Sequence, residues 1–329
     1  MKHRLKSLAL LLSALFASGA ALAQPAPKTI RVGTPFAAGH ILSDTALKFK
    51  EELERRAPHI TVQVTSGLLN EQTINPASKP CAADQRIADV VFTGGQPIQD
   101  YAPQYFFFNG PYVIRDFKHL QNVWQSKIGN NMARQIETNG NFVIFDPVYR
   151  GYRQFTSNKA ISTPADFTGM KLRLPPAPDW IAVWSSLNVV PVTVPLTGIY
   201  AALQNGTAEA SEGDLTQIQS LKLNEVQSRL TLTNHLVGFG MPMTNACFYK
   251  DGLTANERGR FNSAMKKAIA WGSSAMQAKE AGLQSQLAAA GMTVVTPDAA
   301  AIRAAAEPAI NNLFATKWTV TTWAEVLSK

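Results

Sequence analysis

Cysteine is nearly absent from this chain. Cys81 and Cys247 are the two present in 329 residues, and neither belongs to a Cys-x-x-Cys pair. Histidine is almost as sparse. His40, His59, His119 and His235 are isolated and show no His-Glu-x-x-His spacing, so neither a metal site nor a cofactor is expected. There is no G-x-x-x-x-G-K-[ST] phosphate loop, no G-x-G-x-x-G after a strand and no G-x-S-x-G turn, which removes the usual nucleotide-binding and hydrolase signatures. Blocks of like charge are missing, as is any interleaving of basic and aromatic residues, so nucleic acid is not an expected partner. Beyond the first two dozen residues no uninterrupted apolar run reaches the 18 residues of a membrane-spanning helix.

The amino terminus is a separate matter. Lys2, Arg4 and Lys6 precede an apolar run over residues 8–20, and Ala21-Leu22-Ala23 follows. That is the build of a secretory signal peptide, residues 1–23, and it implies export to the periplasm. A cut there leaves about 300 residues, more than one core serves, so two lobes are expected. The formal net charge is +8, and smaller without the three leading basic residues. A mild positive balance suits a small anionic ligand. In an oxidising compartment two cysteines are able to pair, but they are far apart in sequence and spacing does not decide it.

Strands and helices alternate. Residues 30–34, 60–64 and 88–93 read as strands, and Leu42, Ala46, Phe49 and Leu53 give a helix face. Such alternation predicts a mostly parallel sheet. Residues 116–138 read as one helix with Leu120, Trp124, Ile128, Met132 and Ile136 inward. Residues 230–235 and 243–249 read as two strands, and residues 254–290 as one long helix. Pro297 and Asp298 open a further helix, and residues 318–329 are expected to pack on the surface. Between residues 70 and 88, Pro76 and Pro80 argue against a helix.

The most informative stretch is residues 149–214. Met170, Leu172 and Leu174 alternate with Lys171 and Arg173, the period of a strand. The strand stops at Pro175-Pro176-Ala177-Pro178. Asp179 stands at an expected helix N-cap, and Trp180, Val183, Trp184 and Leu187 recur at helical spacing. Arg173 therefore lies at the carboxyl end of a strand that feeds a helix, where α/β folds bind ligands. Its planar fork matches a carboxylate. Glu209 and Glu212 are read as ion-pair partners of the arginines, not as an acid/base pair.

The segments GYRQFTSNKAISTPADFTGMKLRLP and VPVTVPLTGIYAALQNGTAEASEGD resemble the signature region of TRAP-transporter periplasmic substrate-binding proteins of the DctP type. Weaker likeness extends over nearly the whole chain past residue 23. The resemblance implies a two-lobed α/β periplasmic binding protein, each lobe a mostly parallel sheet flanked by helices, with a long helix crossing the lobes. It implies residues 24–150 with 239–278 for the first lobe, and residues 151–238 with 279–329 for the second. Both cysteines then fall in the first lobe. It further implies that Arg173 holds a ligand carboxylate and that Arg153 is the second basic contact. At the position of the family's turn asparagine this chain has Gly213, beside Glu212. Polar residues of sialic-acid-binding relatives are replaced by Pro176 and by Gly94, which follows Thr93. His40 falls at the mouth of the first βα turn, and His235 on a strand that the family shares. Phe36, Trp180, Tyr152 and Leu196 are candidates to line the pocket.

The expectation is a protein that is not an enzyme. It captures an organic acid anion, closes by hinge motion and delivers it to the membrane permease subunits of a TRAP transporter, as a monomer. The missing hydroxyl partners favour a less polar or aromatic monocarboxylate, because unpaired ligand hydroxyls are costly to bury. A ligand-presenting partner of a sensor kinase and a secreted hydrolase or lyase are the alternatives.

Overall fold

The computed structural model describes residues 26–329, so the expected signal peptide lies outside the described residues. The strands are β1 (Lys28–Thr34), β2 (Ile60–Ser66), β3 (Val90–Thr93), β4 (Phe142–Ile144), β5 (Val148–Ser157), β6 (Lys171–Leu174), β7 (Val190–Thr193), β8 (Ala210–Asp214), β9 (Arg229–Asn245) and β10 (Thr293–Val295). The helices are α1 (Ile41–Arg56), α2 (Glu71–Ala77), α3 (Gln96–Tyr101), α4 (Phe117–Gln125), α5 (Lys127–Gly140), α6 (Pro178–Ser185), α7 (Ile199–Gln204), α8 (Leu215–Ser220), α9 (Ala255–Ala289), α10 (Ala299–Thr316) and α11 (Trp323–Leu327).

One sheet runs through both lobes in the order β2-β1-β3-β9-β5-β8-β6-β7, with β4 and β10 also paired to β9. Its two ends are parallel, as β1 with β2 and β3, and β6 with β7 and β8. Its middle is antiparallel, where β9 and β5 run between the lobes. All four residues of β3 are buried, as a strand covered on both faces requires.

The structure replaces the two expected strands at residues 230–249 with the single 17-residue β9. Gly238, Gly240 and Pro242 are residue types that usually break a strand. Instead the strand changes partners there. Residues up to Gly240 pair with β5, and Met241 onward pairs with β3. A Cβ on Gly240 would lie 2.2 Å from the Leu42 side chain, so glycine lets α1 approach.

Helix α9 joins the two cores. Phe261, Met265 and Ile269 pack with α1 and β1, whereas Met276, Leu283 and Leu287 belong to the other core. It starts at Thr254, which forms a capping box with Glu257.

Three further expectations change. Residues 116–138 form two helices, because the Ser126 hydroxyl accepts from Ile128 N–H and starts α5. Residues 70–88 do contain a helix, α2, capped by Asn70, and Pro76 is tolerated near its end. Trp318 is not superficial. It is fully buried against Phe107 and Phe314.

Candidate functional site

Strand β6 ends at Leu174 and α6 begins at Pro178, with Ala177 and not Asp179 at the N-cap. The Asp179 carboxylate instead accepts from Trp318 Nε1 at 2.9 Å and Lys317 Nζ at 2.7 Å. Arg173, 2% exposed, lies at the end of β6. Its Nε donates to the Val194 carbonyl at 2.8 Å. Among the described residues, its two terminal nitrogens have no acceptor. Burial lowers its pKa to about 10, and the more distant Glu212 and Glu71 do not offset that.

Arg153, on β5, is paired on one edge of its guanidinium. Its Nε and Nη2 donate to the Glu212 carboxylate at 2.5 and 2.8 Å, and its guanidinium lies over the Trp180 ring at 5.1 Å. Burial works against the charge of Arg153, but Glu212 more than compensates and its pKa is raised. For Glu212, burial acts upward, yet Arg153 and His235 hold it at about 2.

A third arginine faces the same cleft. Arg150 and Arg153 are three residues apart, and a regular strand would turn them to opposite faces. The register shifts between Tyr149 and Gly151, where Gly151 has φ +86°. This bulge adds a residue and re-aims the side chain, so both arginines border the cleft. Arg150 Nη2 donates to Asp214 Oδ2 at 2.7 Å, and its guanidinium stacks over Phe36 at 4.4 Å.

The cleft is lined by the three arginines together with Phe36, Glu71, Asn109, Trp180 and Gln217. A buried guanidinium whose terminal nitrogens face a cleft has the chemistry to receive a small anion. Among the described residues no cluster of His, Cys, Asp and Glu is arranged to hold a metal.

Residues 32–317 match the model of the family called bacterial extracellular solute-binding protein, family 7. The chain belongs to this family. A solute-binding protein of Roseobacter denitrificans is 29% identical over 298 residues, covering 90% of each chain. A TRAP periplasmic solute-binding protein from the same organism, solved with bound L-galactonate, superposes with a TM-score of 0.80 at 26% identity, covering 87% of this chain and 94% of that one. A Bordetella bronchiseptica counterpart, with density interpreted as pantoate, also has a TM-score of 0.80, at 25% identity over 88% and 95%. Proteins of this TRAP type are transport proteins and not enzymes. They bind small organic acids and work with membrane permease subunits, which implies the periplasm.

In this solute-binding protein, Phe36, Gly94, Arg153, Arg173, Trp180 and Leu196 come together around the cleft. The other expected residues do not border it. His40 lies behind Phe36, its ring stacked at 4.1 Å, and its Nδ1 accepts from Leu42 N–H to cap α1. Burial lowers the His40 pKa, and the nearby Asp214 does not reverse this. Thr93 donates to Glu71 at 3.3 Å. The Pro176 carbonyl accepts from Gln99 at 3.1 Å, while its neighbours Pro175 and Ala177 border the cleft. Glu212 is behind Arg153. Gly213 is inside β8, and the position its Cβ would take is 2.6 Å from Gln217 Nε2. Tyr152 turns outward to the Arg115 carbonyl. Glu209 accepts from Lys171 N–H and does not reach the arginines. His235, between Glu212 and Thr233, is part of the core.

The sequence reading missed Glu71, Asn109, Arg150 and Gln217, all of which border the cleft. Gly151 between two arginines was the available sign of a bulge. Gly94-Gly95 was the sign of close approach by other groups. Glu71 comes from the segment 70–88, where the two prolines argued against a helix. That segment is anchored by the Cys81–Cys247 disulfide, which the structure forms across a separation of 166 positions, and by Asn245 Nδ2, which donates to the carbonyls of Ser78, Lys79 and Pro80.

Proposed function

We propose that this cleft captures an organic acid anion with its carboxylate on Arg173, assisted by Arg153, and that the protein hands the acid to a TRAP permease. One observation carries the assignment. Arg173 is buried, oriented by the Val194 carbonyl, and has its terminal nitrogens open to the cleft. A carboxylate from the ligand supplies the missing counter-charge in bidentate geometry. The two lobes, residues 24–150 with 239–278 and residues 151–238 with 279–329, would close on it by bending of β5 and β9. The chain acts as a monomer, exported by cleavage after Ala23.

The identity of the acid follows from what fills the cleft. The expectation of an apolar or aromatic body rested on three absent side chains, at Gly94, Pro176 and Gly213. Polar groups from elsewhere lie beside two of these positions. Glu71 Oε1 lies 2.5 Å from the position of a Gly94 Cβ, and Gln217 Nε2 takes the place beside Gly213. Asn109 fills the space beside Gly95. These groups support a hydroxylated acid, like the L-galactonate bound by the Roseobacter protein. Phe36, Trp180 and Leu196 favour the apolar reading, or offer a surface to the carbon chain of a hydroxy acid.

Thermal-shift measurements with L-galactonate, succinate, phenylacetate and the neutral polyol galactitol test this. A ligand that binds the folded state alone raises the midpoint. L-Galactonate is expected to raise it and galactitol to leave it unchanged. A shift with galactitol equal to that of the acid would remove the carboxylate from the mechanism. A shift with phenylacetate alone would restore the apolar reading.

A further inference from the structure

We propose that His40 is a positioning residue of the cleft and acts only in its neutral form. It holds the turn between β1 and α1 against β5 and β8, so that acidification loosens the cleft and releases the acid. This rests on the carboxylate assignment and the lobe closure above.

His40 does not border the cleft, but it sits where the two cores meet. Phe36 and Leu42, to either side of it, belong to the core of β1 and α1. Leu215, next to Asp214, belongs to the core of β6 and β8. Between them, His40 Nε2 lies 3.5 Å from Asp214 Oδ1 and 3.5 Å from Arg150 Nη2. Arg150 and Asp214 pair at 2.7 Å, and His40 and Asp214 are both fully buried. Phe36 ties this cluster to the ligand space. It borders the cleft, and both the His40 ring and the Arg150 guanidinium pack on it.

The contacts fix the proton. Nδ1 accepts from Leu42 N–H at 3.1 Å, so the single proton of the neutral ring is on Nε2, facing Asp214. A second proton would have to enter at Nδ1. It would meet the Leu42 N–H, undo the cap of α1 and set a cation beside Arg150. The charged groups that face the ring are Asp214 from β8, Arg150 from β5 and Asp44 from α1, and Asp44 lies 3.7 Å from Lys279 of α9. Burial outweighs the two carboxylates and holds the His40 pKa below its ordinary 6.5. Parting the walls hydrates the ring and removes that burial, so protons bind the open form more tightly. Closure is therefore undisturbed above 6.5 and progressively opposed below it. His235 is not placed to do this, because Glu212, Thr233 and Trp184 enclose it within one core.

Isothermal titration of the full chain with L-galactonate at pH 7.5 and pH 5.5 tests the device. The ligand carboxylate and Arg173 keep their charges at both values. Affinity is expected to fall about tenfold at the lower pH, the limit for one proton taken up one unit below the ordinary histidine value. His40→Asn keeps an acceptor for Leu42 N–H, and His40→Gln keeps a donor toward Asp214, yet neither titrates. Each is expected to hold its affinity within about twofold between the two pH values, and far-UV and thermal scans at both confirm folding. Equal affinity of the unmodified protein at both pH values, or a pH dependence that survives in either variant, would overturn the proposal and leave the Arg173 assignment standing. Binding at neither pH would overturn that assignment and the proposal with it. Where neither variant folds, exchange of the His40 Cε1 hydrogen in the unmodified protein, followed by mass spectrometry, decides the matter. L-Galactonate is expected to slow that exchange and to lower its titration midpoint, and no change on binding would overturn the proposal.

Discussion

Arg153 and Arg173 flank the same strand, β8, opposite Asp214 and Ser211 respectively. Both are buried, at 6% and 2% exposure. Arg153 is enclosed by Glu212 and Trp180, whereas Arg173 has one backbone partner and faces the cleft. The first charge is answered mainly inside the protein, by Glu212, with its free edge toward the cleft. The second has no counter-ion inside the protein among the described residues, and in the proposed reading it is left for a partner from solution. Burial of an unpaired charge is costly, and a fold keeps such a group where binding recovers the cost.

Replacement by methionine separates the two roles most sharply. Arg153→Met strands Glu212 in the core and is expected to cost ~3–5 kcal/mol of stability. Arg173→Met removes a charge that lacks a counter-ion, and its stability should stay within about 1 kcal/mol of the unmodified protein or rise. Urea denaturation with unchanged slope measures both. Equal destabilisation would show that the two arginines do not differ in kind.

Binding should show the reverse emphasis. Arg173→Ala is expected to cost ~2–5 kcal/mol of affinity for L-galactonate by leaving the carboxylate unpaired. Arg173→Lys should recover little of it, because lysine has no planar fork. Calorimetry reads this directly, and unchanged affinity in either variant would take Arg173 out of the site.

The same contrast explains which parts of the molecule were legible. Arg173 obeys a regular pattern, an alternating strand stopped by prolines, so its place at a strand end followed from spacing. Arg150 breaks the pattern, because one extra residue at a bulge reverses the face, and strand alternation hid it. Glu71 and Gln217 reach the cleft from helix starts remote in sequence, and nothing local ties them to Arg173. Long strand β9 runs through the gap between the two expected strands, where glycine and proline mark a change of partner. The Ser126 cap between α4 and α5 is a local signal that the apolar spacing ran across, whereas the burial of Trp318 was set by neighbours that local patterns do not reveal. The disulfide was undecidable for the same reason.

Acidification should weaken the arginine-rich wall in two stages. Glu212 titrates at about 2 in the folded state, and Asp214 well below its ordinary range, because Arg153, Arg150 and the histidines outweigh burial. For such carboxylates the stabilisation is present above the unfolded pKa, near 4.5 for Glu212, and is lost as pH falls toward the folded value. His40 and His235 are buried with lowered pKa, so their uptake of protons also favours unfolding once pH drops below 6.5. All four groups act in one direction. Thermal midpoints should be level from pH 8 to 7, decline gently below 6.5 and steeply below 4.5. A level profile down to pH 3 would mean that the network is not closed to water.

The smallest expected effect concerns the contact between the walls. Trp180, on α6, donates from Nε1 to the Asn109 carbonyl at 2.5 Å. Asn109 ends a short helical turn in the other wall, and its side chain lies against Gly95. Trp180→Phe keeps an aromatic face for Arg153 but removes the donor. The buried carbonyl then loses its partner, at ~1 kcal/mol. Both the unfolding free energy and the binding free energy for L-galactonate should fall by about that amount, since the bond fixes one wall against the other in the arrangement that encloses the cleft. A loss confined to stability would show that the bond braces the fold without helping to hold the acid. A loss above ~2 kcal/mol would place the weight on the indole ring over Arg153, and would make Trp180 part of the charge-compensated region that Arg153 and Glu212 define.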